Sequence, residues 1–386
     1  MSDGFAVQPT ALTAFAATLS STGPGNSSAL ALDSEFLTTA QDYTNQWVKL
    51  EGGTGGLCFS GVVGTTDALA AQLTSNYSVI SGLLGSSAHG LTASANQYRG
   101  QDHATAAHLD SIYKPSGVAP LTDEVDVSEP SVDAATKLTE PGDEGAFPDV
   151  AEQVLEGCAY VSISALALKL LTLLGLDVEE WIKERFAGDY KAVAKCRNAI
   201  KNLADFENAA ATSIADGTAT MLKSWQGSAA TAAQGYFDQL ADALASHGNA
   251  LSALADKLDT LVIAIQQLGA AAIGWLTLLI DMGMELAAAV AAAGCLQEIP
   301  GVNALMDIIG AWKVVEVINK IRELGDMWGV AWASLQTLVG GTMTVVGALQ
   351  TYTAPIKPPA VGYANASQSQ QPEEDSTTPT GRQGPQ

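Results

Sequence analysis

The side chains of this sequence most suited to proton transfer or metal binding are its histidines. They are His89, His103, His108 and His247. His103 and His108 are five residues apart, a spacing that places them on different sides of a helix. A metal or catalytic site needs donors that converge on one point. We therefore interpret the histidines as polar residues near helix ends and predict no metal site.

An acidic pair is the second feature that could support chemistry. Asp281 and Glu285 are four residues apart within an apolar stretch, so both lie on one helix face. Acid catalysis is one interpretation, and a solvated or lumen-facing stripe is the favoured one. The glycine runs EGGTGG and GGTMT lack the lysine of a phosphate-binding loop, and the sequence has no H-E-x-x-H or G-x-S-x-G motif. We predict no enzyme, no catalytic residue and no cofactor.

The four cysteines do not form a metal motif. Cys58, Cys158, Cys196 and Cys295 are far apart and include no C-x-x-C pair, which argues against a zinc site. We expect mostly buried thiols. A disulfide such as that between Cys158 and Cys196 is the alternative if the protein leaves the cytoplasm.

Charge excludes some partners. The formal net charge of the 386 residues is −23, which opposes binding to a phosphate backbone and electrostatic attachment to anionic lipid. We predict no nucleic-acid partner, whereas apolar insertion into a membrane stays open. The first ten residues, MSDGFAVQPT, have neither a basic nor an apolar region of the kind found in a signal peptide, so we expect none.

Apolar residues at intervals of three and four predict an all-α fold of elongated helical hairpins that form a four-helix bundle. An apolar helical C-terminal region and a disordered tail complete it. Residues 123–156 carry eleven acidic side chains and several prolines, the composition of an extended linker. The predicted regions are a helical hairpin (1–113), an acidic linker (114–150), a second hairpin (151–270), the apolar region (271–354) and the tail (355–386).

Two long stretches near the C-terminus have no charged residue. They are Thr260 to Ile280 and Met327 to Ile356, and each is long enough to cross a bilayer. Small residues in them would allow close helix packing. A buried helical core is the alternative, because alanine and glycine are only weakly hydrophobic and two glutamines interrupt the first stretch.

Two short motifs occur at the ends of the predicted hairpins. Trp225, Gln226 and Gly227 separate two long amphipathic runs, where a glycine permits a tight chain reversal and a large indole can anchor the turn. Tyr98 and Asp102 lie four residues apart near the end of the first hairpin, so one helix face presents both.

The arrangement of these motifs resembles the WXG-type proteins exported by the type VII (ESX) secretion systems of actinobacteria. In that family two helices are joined by a W-x-G turn, here Trp225 to Gly227. A Y-x-x-x-D/E secretion signal, here Tyr98 and Asp102, lies near the turn of a paired partner. The chain resembles a fusion of both partners, as in Esp proteins, and its first 50 residues are similar to EspC-type proteins. The acidic linker and the apolar C-terminal third depart from simple WXG proteins.

The resemblance implies a non-enzymatic secreted substrate that acts at the cell envelope or the host interface without a cleaved signal peptide. The implied partner is the type VII secretion machinery. A dedicated chaperone, a membrane and a second copy of the chain remain open as further partners. The alternatives are a membrane-inserting pore or anchor and a type VII-delivered toxin.

Overall fold

A computed structural model describes residues 6–21, 31–50, 55–112, 133–143, 152, 165–293, 301–351 and 356–357. Of these residues 88% are helical, which confirms the predicted all-α class. The predicted tail from 355 onward lies outside the described residues except for positions 356 and 357.

The N-terminal half consists of a short strand and helices of very different length. The elements are β1 (Ala6–Val7), α1 (Pro9–Leu19), α2 (Leu32–Ser34), a π-helical turn (Glu35–Ala40), α3 (Gln41–Tyr43), a second π-helical turn (Thr44–Val48) and α4 (Leu57–Ile112). Helix α1 packs along α4, and the helical run from α2 to the second π-helical turn packs on α4 as well. Helix α4 is therefore the element on which the rest of the N-terminal half packs.

The C-terminal half contains the longest helix of the described residues. Its elements are α5 (Ala165–Leu173), α6 (Val178–Phe186), α7 (Tyr190–Leu222), β2 (Trp225–Gln226), α8 (Ser228–Ala292), α9 (Val302–Ile309), α10 (Ala311–Ala348) and a 3₁₀ turn (Leu349–Thr351). Helices α7 and α8 form the most extensive helix pair, and α5 and α10 also pack on α8. Helix α8 continues without a break through position 270, where the sequence analysis places a regional boundary.

Helices α4 and α8 are antiparallel and have a regular register. Asn76 contacts His247, Ser87 contacts Tyr236, and Tyr98 contacts Trp225, which lies three residues before the start of α8. On α4 the three contacts are eleven residues apart, which corresponds to three helical turns, so Asn76, Ser87 and Tyr98 lie on one face of this helix. On α8 the same spacing separates His247 from Tyr236, and it leads on to Trp225 in the turn before the helix.

Helix α10 runs antiparallel to α8. At its start Lys313 pairs with Glu285, and further along Lys320 lies 5.7 Å from the centre of the Trp275 ring. Beyond its end, the Leu349 carbonyl accepts a hydrogen bond from the Asn76 amide, which also contacts His247. Buried side chains from the three predicted helical regions belong to one continuous hydrophobic core.

Part of the predicted acidic linker packs on the helical body. The segment 133–143 contains a 3₁₀ turn (Ala134–Lys137) that lies against α7. Asn202 donates to the Thr139 carbonyl at 3.0 Å, and Asn198 donates to the Gly142 carbonyl at 2.9 Å. Segment 133–143 is therefore held by side-chain amides and differs from the extended spacer that composition predicts.

Candidate functional site

The W-x-G residues form the connection between α7 and α8. Helix α7 ends at Leu222, and the indole of Trp225 is only 1% exposed. Gly227 has a φ of 114° and is the N-cap residue of α8. Because this φ is unfavourable for residues with a Cβ, glycine is the residue that the reversal requires. The turn thus combines a buried ring with a backbone geometry suited to glycine.

Tyr98 contacts this turn across the molecule. Its ring lies edge-to-face on the Trp225 ring, with 6.3 Å between the ring centres and an interplanar angle of 73°. The tyrosine is 8% exposed, and burial raises the pKa of its hydroxyl, while a hydrogen bond with Trp225 acts in the opposite direction. The structure therefore brings together two motifs that are distant in sequence.

Asp102 occupies the next turn of α4 and is exposed to solvent. Gln226, between Trp225 and Gly227, is exposed as well. The paired rings are thus largely covered, and polar side chains near them face outward.

The other residues considered for chemistry are separate from this site. His89 and Asp281 are exposed, Glu285 pairs with Lys313, and the side chains of His103 and His108 lie outside the described residues. Within the described ranges no three side chains of the metal-binding types lie together.

Two of the four cysteines are described, and both are buried free thiols. Cys196 donates to the Val48 carbonyl at 3.2 Å, and burial raises its pKa to about 12. Burial raises the pKa of Cys58 to about 12 too, and the nearby Arg185 opposes the rise. Both therefore stay protonated at neutral pH, when thiols are weak nucleophiles. Cys158, the alternative disulfide partner, lies outside the described residues.

The sequence predicts histidines near helix ends, but His247 is buried well inside α8 and belongs to a polar network between α4, α7 and α8 that no motif indicates. His247 Nδ1 lies 2.5 Å from Glu207 Oε2, and His247 Nε2 lies 2.8 Å from the Asn76 amide nitrogen. Asn76 Oδ1 accepts a hydrogen bond from Gln72, so the Asn76 amide nitrogen is the group that faces Nε2 of His247. The spacing of Asn76, Ser87 and Tyr98 at eleven residues is the sequence signal that places them on one face.

This network is closed to substrates. Glu207 and His247 have no exposed side-chain surface, and the Tyr77 hydroxyl faces Glu207 and Thr44 from the same interior. Burial, followed by the nearby Glu207 carboxyl, raises the pKa of Tyr77 well above its usual value. The contacts hold α4, α7 and α8 together and fix their register.

An apolar pocket of about 470 Å³ opens between α6, α8 and α10. Its walls include Trp181, Leu268 and Trp328, and Asp326 is the charged residue that lines it. The guanidinium of Arg185 lies 4.5 Å from the centre of the Trp181 ring and 5.2 Å from that of Trp328. The lining is otherwise aliphatic and aromatic, so the pocket offers mainly apolar contacts.

Among the helices that the structure describes, α8 is the one that is long and apolar enough to cross a membrane. Its most apolar window has a mean hydropathy of 1.7, and 33% of that window is buried within the protein. A helix in the core of a soluble protein can meet the same criterion, so this finding alone is weak evidence for a membrane span.

Comparison with protein-family models gives no match, and comparisons with curated proteins and with solved structures give none either.

Proposed function

We propose that this protein is a non-enzymatic substrate of a type VII (ESX) secretion system. The machinery would recognise a composite surface made by the Tyr98–Asp102 signal and the Trp225–Gly227 turn. The observation that carries the proposal is the edge-to-face packing of Tyr98 on Trp225. Exported protein would then act at the cell envelope or the host interface.

Two features of the geometry support this proposal. The resemblance predicts that a W-x-G turn lies next to the signal of its partner, and here the two rings are in contact within one chain. Asp102 and Gln226 are exposed near the rings, so a secretion component has polar groups to bind.

The test is export by an actinobacterium with and without a working type VII system. The variants are Tyr98→Ala, Tyr98→Phe and Asp102→Asn, with Asp242→Asn as a control for loss of an exposed acid on α8. Immunoblots of cell and culture fractions, with a cytoplasmic lysis marker, measure export. Melting temperatures of the purified variants show whether each one folds.

We expect wild-type export only in the strain with a working system. Tyr98→Ala should lower export at least about tenfold, which corresponds to about 1.4 kcal/mol of recognition. Tyr98→Phe keeps the ring and should retain most export, and Asp102→Asn should lower it while Asp242→Asn does not. Export of folded Tyr98→Ala at the wild-type level would refute recognition at this site.

A further inference from the structure

Strand β1 (Ala6–Val7), where the described residues begin, pairs with the W-x-G turn. Strand β1 is antiparallel to β2, with Ala6 opposite Gln226 and Val7 opposite Trp225. The backbone N–H of Gln8 donates to the Ser224 carbonyl at 3.0 Å. Gln8 and Ser224 are therefore a hydrogen-bonded pair of this antiparallel ladder. Because hydrogen-bonded and non-hydrogen-bonded pairs alternate, the neighbouring pair of Val7 and Trp225 is a non-hydrogen-bonded one.

This register places the Val7 side chain beside the indole. Residues directly opposite each other lie on the same face of a ladder, and side chains are closest in non-hydrogen-bonded pairs. Val7 is half-buried and packs against the hydrophobic core. Trp225 therefore has Tyr98 as one neighbour and Val7 as another, although the three residues come from separate segments.

Helix α1 fixes the position of this strand. It begins at Pro9, one residue after Gln8, so the strand cannot move independently of the helix. Phe15 lies edge-to-face on Phe237 of α8, with 4.9 Å between ring centres. A Cβ on Gly217 of α7 would lie only 2.3 Å from the Phe15 ring, so this ring packs directly on the α7 backbone. Helix α1 is thereby anchored to both helices that flank the turn.

We propose that strand β1 is a third component of the recognition site, which holds Trp225 against Tyr98. Its role in export rests on the proposed function, whereas its role in positioning the indole does not. Val7 is a positioning residue in this scheme, because it acts through Trp225. The site is then assembled from three segments, and only the folded chain presents it.

The main test removes one backbone donor. Gln8→Pro abolishes the N–H that bonds Ser224, whereas Gln8→Ala retains it and serves as the matched control. The Gln8 side chain is exposed, so its loss alone should change little. Val7→Ala, with Val7→Ile as the conservative variant, removes side-chain contact and leaves every backbone donor in place.

Ionisation of Tyr98 is the local readout, and circular dichroism over the same pH range shows that each variant stays folded while its tyrosines titrate. Burial is the larger influence on the pKa of Tyr98 and raises it, whereas the hydrogen bond with Trp225 lowers it. A displaced indole that uncovers the hydroxyl should therefore let this pKa fall toward its usual value near 10, although the opposing hydrogen bond is lost as well. NMR of the full-length protein with ¹³C-labelled tyrosine measures it, and Tyr98→Phe assigns the signal. Helical circular dichroism and melting temperature are recorded beside it, and export is measured as above.

We expect a lower Tyr98 pKa in Gln8→Pro and Val7→Ala, and wild-type values in Gln8→Ala and Val7→Ile. Export should fall about tenfold in Gln8→Pro and Val7→Ala only.

An unchanged Tyr98 pKa in Gln8→Pro and Val7→Ala would overturn the positioning role. Normal export of both, in a strain where Tyr98→Ala is not exported, would overturn the recognition role alone. If Tyr98→Ala is itself exported normally, the proposed function fails and the Tyr98 pKa still decides the positioning role.

Discussion

At the scale of single residues, Glu35 is the carboxyl whose ionisation the fold changes most clearly. It is 3% exposed and begins the first π-helical turn, opposite segment 133–143. Burial raises its pKa from 4.5 to about 7, with further contributions from the charge of Asp133 and a hydrogen bond to it. A backbone hydrogen bond from Ala135 acts in the opposite direction. The protonated form of Glu35 is therefore the one that suits this site.

This raised pKa predicts that stability depends on pH. A carboxyl whose pKa is higher in the folded state than in the unfolded state stabilises the fold when it is protonated. For Glu35 this contribution is fully present below the unfolded pKa of 4.5, and it is lost as pH rises through the folded pKa of about 7. Glu35→Gln should leave stability at pH 5 nearly unchanged and raise it at pH 8 by about 1–2 kcal/mol, since solvent screening reduces the full effect. Urea unfolding at both pH values measures this.

Glu140→Gln is the matched control for this prediction, because Glu140 is an exposed carboxyl in the same segment. It should leave the difference between pH 5 and pH 8 as it is in the wild type. Equal pH dependence in Glu35→Gln and the wild type would show that another group is responsible.

At the scale of helices, a glycine sets the separation of α7 and α8. A Cβ on Gly248 would lie 2.9 Å from the Ala204 carbonyl oxygen and 3.2 Å from the Asn208 side chain. A carbonyl oxygen of a helix cannot move without moving the backbone. This close approach lies next to His247, so it also positions the imidazole for its contact with Glu207.

Two glycine substitutions on α8 should have opposite effects. Alanine is favoured over glycine inside a helix by about 0.5–1 kcal/mol. At Gly235, where nothing lies within 4 Å of an added Cβ, alanine should stabilise the protein by about that amount. At Gly248 the clash should outweigh the preference and destabilise it by about 1–3 kcal/mol. Chemical denaturation compares the two, and a stabilising Gly248→Ala would contradict the close approach.

At the scale of the whole molecule, negative charge is in large excess. The chain has 41 acidic and 18 basic residues, so the folded state concentrates like charges. Opposite charges meet at some helix contacts, such as Arg197 with Asp259 at 2.6 Å. Because acidic residues outnumber basic ones by more than two to one, most acidic side chains cannot each have a basic partner of their own. The compact state should therefore be destabilised by its own net charge.

This excess predicts that salt stabilises the protein. Raising sodium chloride from about 10 mM to about 500 mM shortens the screening length several-fold and weakens the repulsion. The melting temperature should rise by a few degrees, as measured by calorimetry. Choline chloride at the same concentration should act alike if screening is responsible. A lower melting temperature in both salts would indicate that the ion pairs dominate.

The sequence by itself determined the helical class and the local geometry of the turn. Helical periodicity is a local property of neighbouring residues, and the need for glycine at position 227 follows from a reversal between two helices. Tyr98 and Asp102 could be placed on one face for the same reason.

Tertiary structure alone decided which of these faces meet. The packing of Tyr98 on Trp225, the burial of His247 against Glu207 and the pairing of β1 with β2 join residues that are far apart in sequence. Each depends on the register between packed helices, which many side-chain contacts set together and no short motif encodes. The attachment of segment 133–143 has the same origin, because its composition predicts a linker and the amides of Asn198 and Asn202 on α7 hold it.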